Sequence, residues 1–121
     1  MMTFEYALLR AVPRIERGEV ANVGVIVYCQ DQDYLAAAAH VDAPRLRALD
    51  PEVDVEAVCA AVDAIRAACD GAGPAGAGSK GERFRWVTAP RSTVVQPGPV
   101  HAGRTDDPAA ELVRLLDRLV R

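Results

Sequence analysis

Aromatic residues are scarce in this chain: one Trp, two Phe and three Tyr among 121 residues. A core built from it must take its volume from Leu, Val, Ile and plentiful Ala. Cysteine is scarce as well, and its placement excludes more than its number does. Cys29, Cys59 and Cys69 form an odd set without framework spacing. On a shared helix Cys59 and Cys69 would stand about 15 Å apart along the axis, too far to bridge. Reduced thiols packed as small hydrophobes in a cytoplasmic protein are the expectation. No CxxC, HxxxH or HExxH spacing occurs, so neither a metal centre nor a cofactor is expected. No apolar run approaches the length of a membrane span, and no charged n-region with an apolar h-region opens the chain. Positive charge is not in excess either. The net charge of −3 and a pI near 5.3 argue against a general nucleic-acid binder. A nucleophile elbow, a paired-carboxylate motif and a Cys with a local His signature are all missing, which favours a binding protein over an enzyme.

What is present reads as one domain over residues 1–121, long enough for a core without staples. Thr3 to Val12 is a first strand, apolar on both faces and so expected to be central and covered on both sides. Arg10 interrupts one face near its end, and Glu5 the other near its start. Pro13 to Glu19 is a charged connection that carries Arg14 and Glu16. Val20 to Cys29 is the strongest strand, β-branched and again apolar on both faces. Within it Gly24 marks a bulge or a close backbone approach. Asn22 either holds a ligand or satisfies a backbone group at that bulge. A polar turn, Gln30 to Asp33, leads to an Ala-rich third strand over Tyr34 to Val41.

Asp42 then caps a short helix with Leu46 and Leu49 inward. A longer helix spans about Val53 to Cys69, with Val58, Val62, Ile65 and Cys69 at helical spacing. Gly71 to Gly81 reads as a flexible surface loop. It is no phosphate-binding loop, because Ser79 precedes Lys80 and a helix precedes both.

The chemistry-bearing side chains concentrate between Phe84 and Gly103, which hold the only Trp and one of the two His. Alternation of Phe84, Trp86 and Thr88 predicts a strand that ends at Pro90. Arg91, Ser92 and Thr93 form a polar link, Val94 to Gln96 resumes an extended run, and Pro97-Gly98-Pro99 breaks it before Val100 to Gly103 returns. Arg91, Ser92, Gln96 and His101 are thereby presented from turns and strand ends, where binding chemistry concentrates. A guanidinium beside two hydroxyls suits a phosphate or carboxylate. The plain alternative is an Arg in a structural ion pair with hydroxyls capping turns. A final helix opens at Asp106 or Asp107 with Pro108, and its apolar stripe is Leu112, Leu115, Leu116, Leu119 and Val120. The whole predicts an α+β fold: an antiparallel sheet of four to five strands with two main helices packed mostly on one face.

The runs FEYALLRAVPRIERGEVANVGVIVYC, RFRWVTAPRSTVVQPGPVHAG and DDPAAELVRLL resemble the bacterial family called domain of unknown function 3037, over nearly the whole chain. The resemblance implies a small cytoplasmic protein and a kinase-like protein partner related to the HipA-type toxin kinases. Its pattern falls at Arg10, Pro13, Glu16, Asn22, Gly24, Arg91, Ser92, Gln96 and His101. The ligand- or partner-binding candidates are therefore Arg10, Arg14, Glu16, Asn22, Arg91, Ser92, Gln96 and His101, with no catalytic residue among them. The leading expectation is an accessory or interaction protein. The alternative is a small enzyme or a phosphate- or nucleotide-ligand-binding protein that uses Arg91, Ser92, Gln96 and His101.

Overall fold

The computed structural model describes residues 1–121, the side chain of Ala75 excepted. Five antiparallel strands make one sheet: β1 (Met2–Ala11), β2 (Ala21–Cys29), β3 (Tyr34–Ala39), β4 (Val95–Pro97) and β5 (His101–Thr105). The order is β3-β2-β1, followed by an edge that β4 and β5 share. β4 pairs with Leu9 to Ala11 and β5 with Met2 to Tyr6. Both run antiparallel to β1, so they are one edge strand broken by Pro97-Gly98-Pro99. An edge tolerates prolines because its outer side donates to no neighbour. Gly98 N–H keeps the ladder going across the break by donating to the Leu8 carbonyl at 2.8 Å.

The two strands with apolar residues on both faces, β1 and β2, are the central ones, and helices cover both sides of them. On one side lie α1 (Ala43–Leu49), α2 (Val55–Cys69) and α3 (Lys80–Val87). Their Leu46, Val58, Val62, Ile65 and Phe84 pack with Leu9, Val23 and Ile26 of the sheet. On the other side lies α4 (Pro108–Leu115), continued by a π-helical turn, Leu116–Val120. Leu115, Leu116 and Val120 pack there with Phe4, Val25, Val27 and Cys29. Of the two main helices expected mostly on one face, only α2 takes this side, together with α1 and α3. α4 takes the other face, as two-sided apolar strands require. Helix starts follow local chemistry. Carboxylates of Asp42, Asp54 and Asp107 accept backbone N–H bonds from Arg45, Ala57 and Ala109, which satisfies donors the helix cannot.

Further expectations are corrected. Phe84 to Ala89 is not a strand: Phe84 to Val87 belong to α3, and Thr88 and Ala89 form the turn beyond it. The helix is set by a capping box, in which Ser79 Oγ accepts from Glu82 N–H and the Glu82 carboxylate accepts from Ser79 N–H. Phe84 and Val87, three apart, then both face the core, and Trp86 points outward. Lys80 and Gly81 consequently belong to the helix rather than to the preceding loop, inside which Pro74–Gly76 is a 3-10 turn. Another correction concerns Leu119, expected in the apolar stripe of the last helix. The π turn, closed by Arg121 N–H to the Leu116 carbonyl, shifts the angular spacing and leaves Leu119 exposed.

Gly24 and Asn22 mark a bulge. Leu9 pairs with Gly24 but Arg10 pairs with Asn22, so Val23 has no partner across the ladder. A Cβ on Gly24 would stand 2.9 Å from the Ala38 carbonyl oxygen and 3.1 Å from Leu9 Cδ1, which explains a glycine inside a central strand.

Candidate functional site

The candidate side chains fall into three surroundings. The first lies on the α3 side of the sheet edge. Trp86 is 51% exposed, and the Arg91 guanidinium carbon stands 4.8 Å from its ring centroid. A cation over an indole face is attracted by the ring quadrupole. Arg91 also donates to the carbonyls of Trp86 and Ala89, so no carboxylate is needed to hold it, and none lies within ion-pair distance among the described residues. The pair borders a cleft of about 240 Å³, whose floor is Ala61, Ala64 and Ile65 of α2 with Thr93 and Val95. Small residues at two positions of α2 leave this hollow, and the indole forms its wall.

The second surrounding is a wider, more open hollow of about 360 Å³ where β1 meets the charged connection. Arg14, Glu16, Asp50, Ser92 and Thr93 supply its polar lining. Arg14 Nε lies 3.3 Å from Glu16 Oε1, both side chains being largely exposed. That pairing in open solvent is weak. The neighbouring Glu19 carboxyl is held below the usual carboxylate range, chiefly by a hydrogen bond from Arg17. The lining groups carry both signs of charge, so this hollow presents no concentrated positive field to an anion. Thr93 borders both hollows, with its hydroxyl donating to the Val95 carbonyl at 2.6 Å.

The third surrounding is on the opposite face of the sheet. Register places Asn22 of β2, Arg10 of β1 and Gln96 of β4 in one row across three strands. Asn22 Nδ2 donates to the Leu119 carbonyl at 3.0 Å, the backbone-satisfying role that a bulge asparagine can take. Gln96 Nε2 donates to the Thr93 carbonyl at 3.1 Å. His101 lies farther along the same edge, opposite Tyr6, with ring centroids 5.2 Å apart. Arg91, Ser92, Gln96 and His101 therefore do not converge: Arg91 meets Trp86, Ser92 the Arg14 hollow, Gln96 the Arg10 row and His101 an aromatic ring.

Sequence reasoning gave Trp86, Ala61 and Ala64 no part in a site. The signal for Trp86 was available, because Ser79-x-x-Glu82 announces a helix start and turns the indole outward. Among the described residues no group of three or more His, Cys, Asp or Glu is placed to hold a metal ion, and no helix is long and apolar enough to cross a membrane. Cys69 is buried, and burial pushes its thiol up to about 11, with Asp70 adding to the shift and Arg83 opposing it. A thiol so suppressed is a poor nucleophile at neutral pH.

The chain belongs to the family described as protein of unknown function (DUF3037), whose model matches residues 6–120. No curated protein and no solved structure matches it.

Proposed function

We propose that this chain is a non-enzymatic interaction module that grips a protein partner through the Trp86–Arg91 cleft. The observation that carries the reading is the exposure of the sole Trp, stacked by an Arg and set beside a hollow floored by alanines. Trp and Arg are the residue types that dominate binding energy at protein interfaces, and they do so where a shallow pocket can be dried. An Arg already held by two backbone carbonyls keeps the indole in one orientation, so less side-chain freedom is lost on docking. The cleft suits an aliphatic or aromatic side chain of the partner inserted between the indole and α2. The resemblance of the three sequence runs points to a kinase-like protein of the HipA type as the partner to test.

The experiment is calorimetric titration of the purified chain with the kinase-like protein from the same genome. Trp86→Ala is expected to weaken binding by about thirtyfold, corresponding to about 2 kcal/mol. Folding stability should change by less than about 1 kcal/mol, because the ring is half in water already. Equal affinity of the variant and the original chain would move the contact away from the cleft. Absence of binding by the original chain would remove the kinase-like partner.

A further inference from the structure

Arg10 is a half-buried cation that no carboxylate pairs. It takes part in none of the seven ion pairs among the described residues, and its Nε–H is buried without an acceptor. Arg83 makes the contrast. Its Nε is also unpaired, but its terminal nitrogens donate to the carbonyls of Gly78 at 2.9 Å and Cys69 at 3.2 Å, which ties the end of α2 to the following loop. Packing of the aliphatic stem explains why a strand carries an arginine. It does not explain a buried Nε–H with nothing to donate to, since a buried unsatisfied donor costs stability.

The surroundings of Arg10 are built rather than incidental. Register sets a carboxamide on each side of it, Asn22 on one neighbouring strand and Gln96 on the other. Each carboxamide is anchored through one N–H to a backbone carbonyl, of Leu119 and Thr93 respectively, so each retains one N–H for another acceptor. Gly98 lies beneath the guanidinium: a Cβ there would stand 2.9 Å from Arg10 Cζ and 3.1 Å from Nε. Any other residue would lift the plane away. No acidic side chain stands in the row, whereas the Ser92 hollow has Glu16 and Asp50. α4 and its π turn pack on β2 and β3, and Tyr6, Leu8 and Arg10 of β1 stay half-exposed.

We infer that the Asn22–Arg10–Gln96 row is an oxyanion site, in which Arg10 holds a carboxylate or phosphate group of a ligand and the two carboxamides flank it. The guanidinium fork supplies the charge-assisted bonds that such groups favour. The site is on the face opposite the Trp86 cleft, so it stands or falls independently of the partner reading.

Arginine Nε–Hε cross-peaks, recorded by NMR while inorganic phosphate or acetate is titrated at constant ionic strength, test this directly. The Arg10 peak is assigned by its loss in Arg10→Lys. It should move saturably, while the peaks of Arg83 and Arg91 stay in place. Gln96→Ala, which leaves the buried core intact, should weaken the response about tenfold, the loss expected for one hydrogen bond to a charged group. A response to acetate assigns a planar carboxylate and one to phosphate a tetrahedral anion, and either supports the site. An Arg10 peak that stays still with both anions, moves in parallel with all other arginines, or responds equally in Gln96→Ala would overturn it.

Discussion

On one side of the sheet α1, α2 and α3 close over Leu9, Val23 and Ile26 and bury Phe84 and Leu46 almost fully. On the other side a single terminal helix covers β2 and β3 and leaves half of β1 in contact with water. Both faces are made from the same two central strands, so the difference does not lie in strand hydrophobicity. It lies in what residues stand at the end of β1. Ala11 on the first face continues the apolar row, while Arg10 on the second ends it. A closed face contributes stability through its area. A half-open face keeps polar groups where a ligand can reach them. Two arginines without a carboxylate mark the contrast: Arg91 is held by an indole and two carbonyls, while the buried Nε–H of Arg10 has no acceptor.

The sharpest way to break this comparison is at the closed face. Phe84 is 3% exposed and stacked on Tyr28 with ring centroids 5.1 Å apart. Phe84→Ala should cost about 3–5 kcal/mol in urea denaturation, a transfer loss plus a cavity. A loss below about 1 kcal/mol would mean that α3 does not seal the core. The closed face should also respond to alkali. Cys69 ionises near 11 when folded against 9.0 for the free group. Between those values the unfolded chain loses the proton and the folded chain keeps it, so stability falls as pH rises through that window. The slope should approach about 1.4 kcal/mol per pH unit. Cys69→Ala should flatten it, measured by thermal unfolding across the window. The smallest effect belongs to the half-open face. Asn22→Ala removes the bond to the Leu119 carbonyl and should cost about 1 kcal/mol. Hydrogen exchange should quicken in the π turn and stay unchanged in α2. Equal quickening on both faces would show that they open as one unit.

How far the sequence revealed all this depends on range. β1, β2, the broken edge strand and the caps at Asp42 and Asp107 were legible, because alternation, proline and capping chemistry act over a few residues. Asn22 and Gly24 were legible as a bulge for the same reason. α3 was misread because Phe84, Trp86 and Thr88 alternate as a strand would, while the capping box five residues upstream governs the local hydrogen bonds. The outward turn of Leu119 was hidden, since the apolar spacing reads as a regular helix and the π turn meets the sheet through Asn22, 97 positions away in the chain. The Arg91–Trp86 contact spans five residues and could be suspected. The Arg10 row could not, because it needs the register of three strands at once, one of them shifted.

That shift has a consequence of its own. A strand has two sides, and which side a residue occupies depends only on whether its count from a fixed partner is odd or even. Val23, unpaired, resets the count. Beyond it Ile26 and Tyr28 share the side of α2, and before it Ala21 joins them although its own number is odd. Had the same residues of β2 run in a regular ladder without the bulge, Asn22 would have pointed at α2 with nothing to tie down, and Arg10 would have faced the apolar Val23. Parity rather than affinity decides that residue 22 meets residue 119. Deleting Val23 would therefore leave Asn22 opposite Arg10 and Ala21 opposite Ala11, whereas closing the ladder with Val23 kept would exchange the sides of both, which no substitution at either position can do.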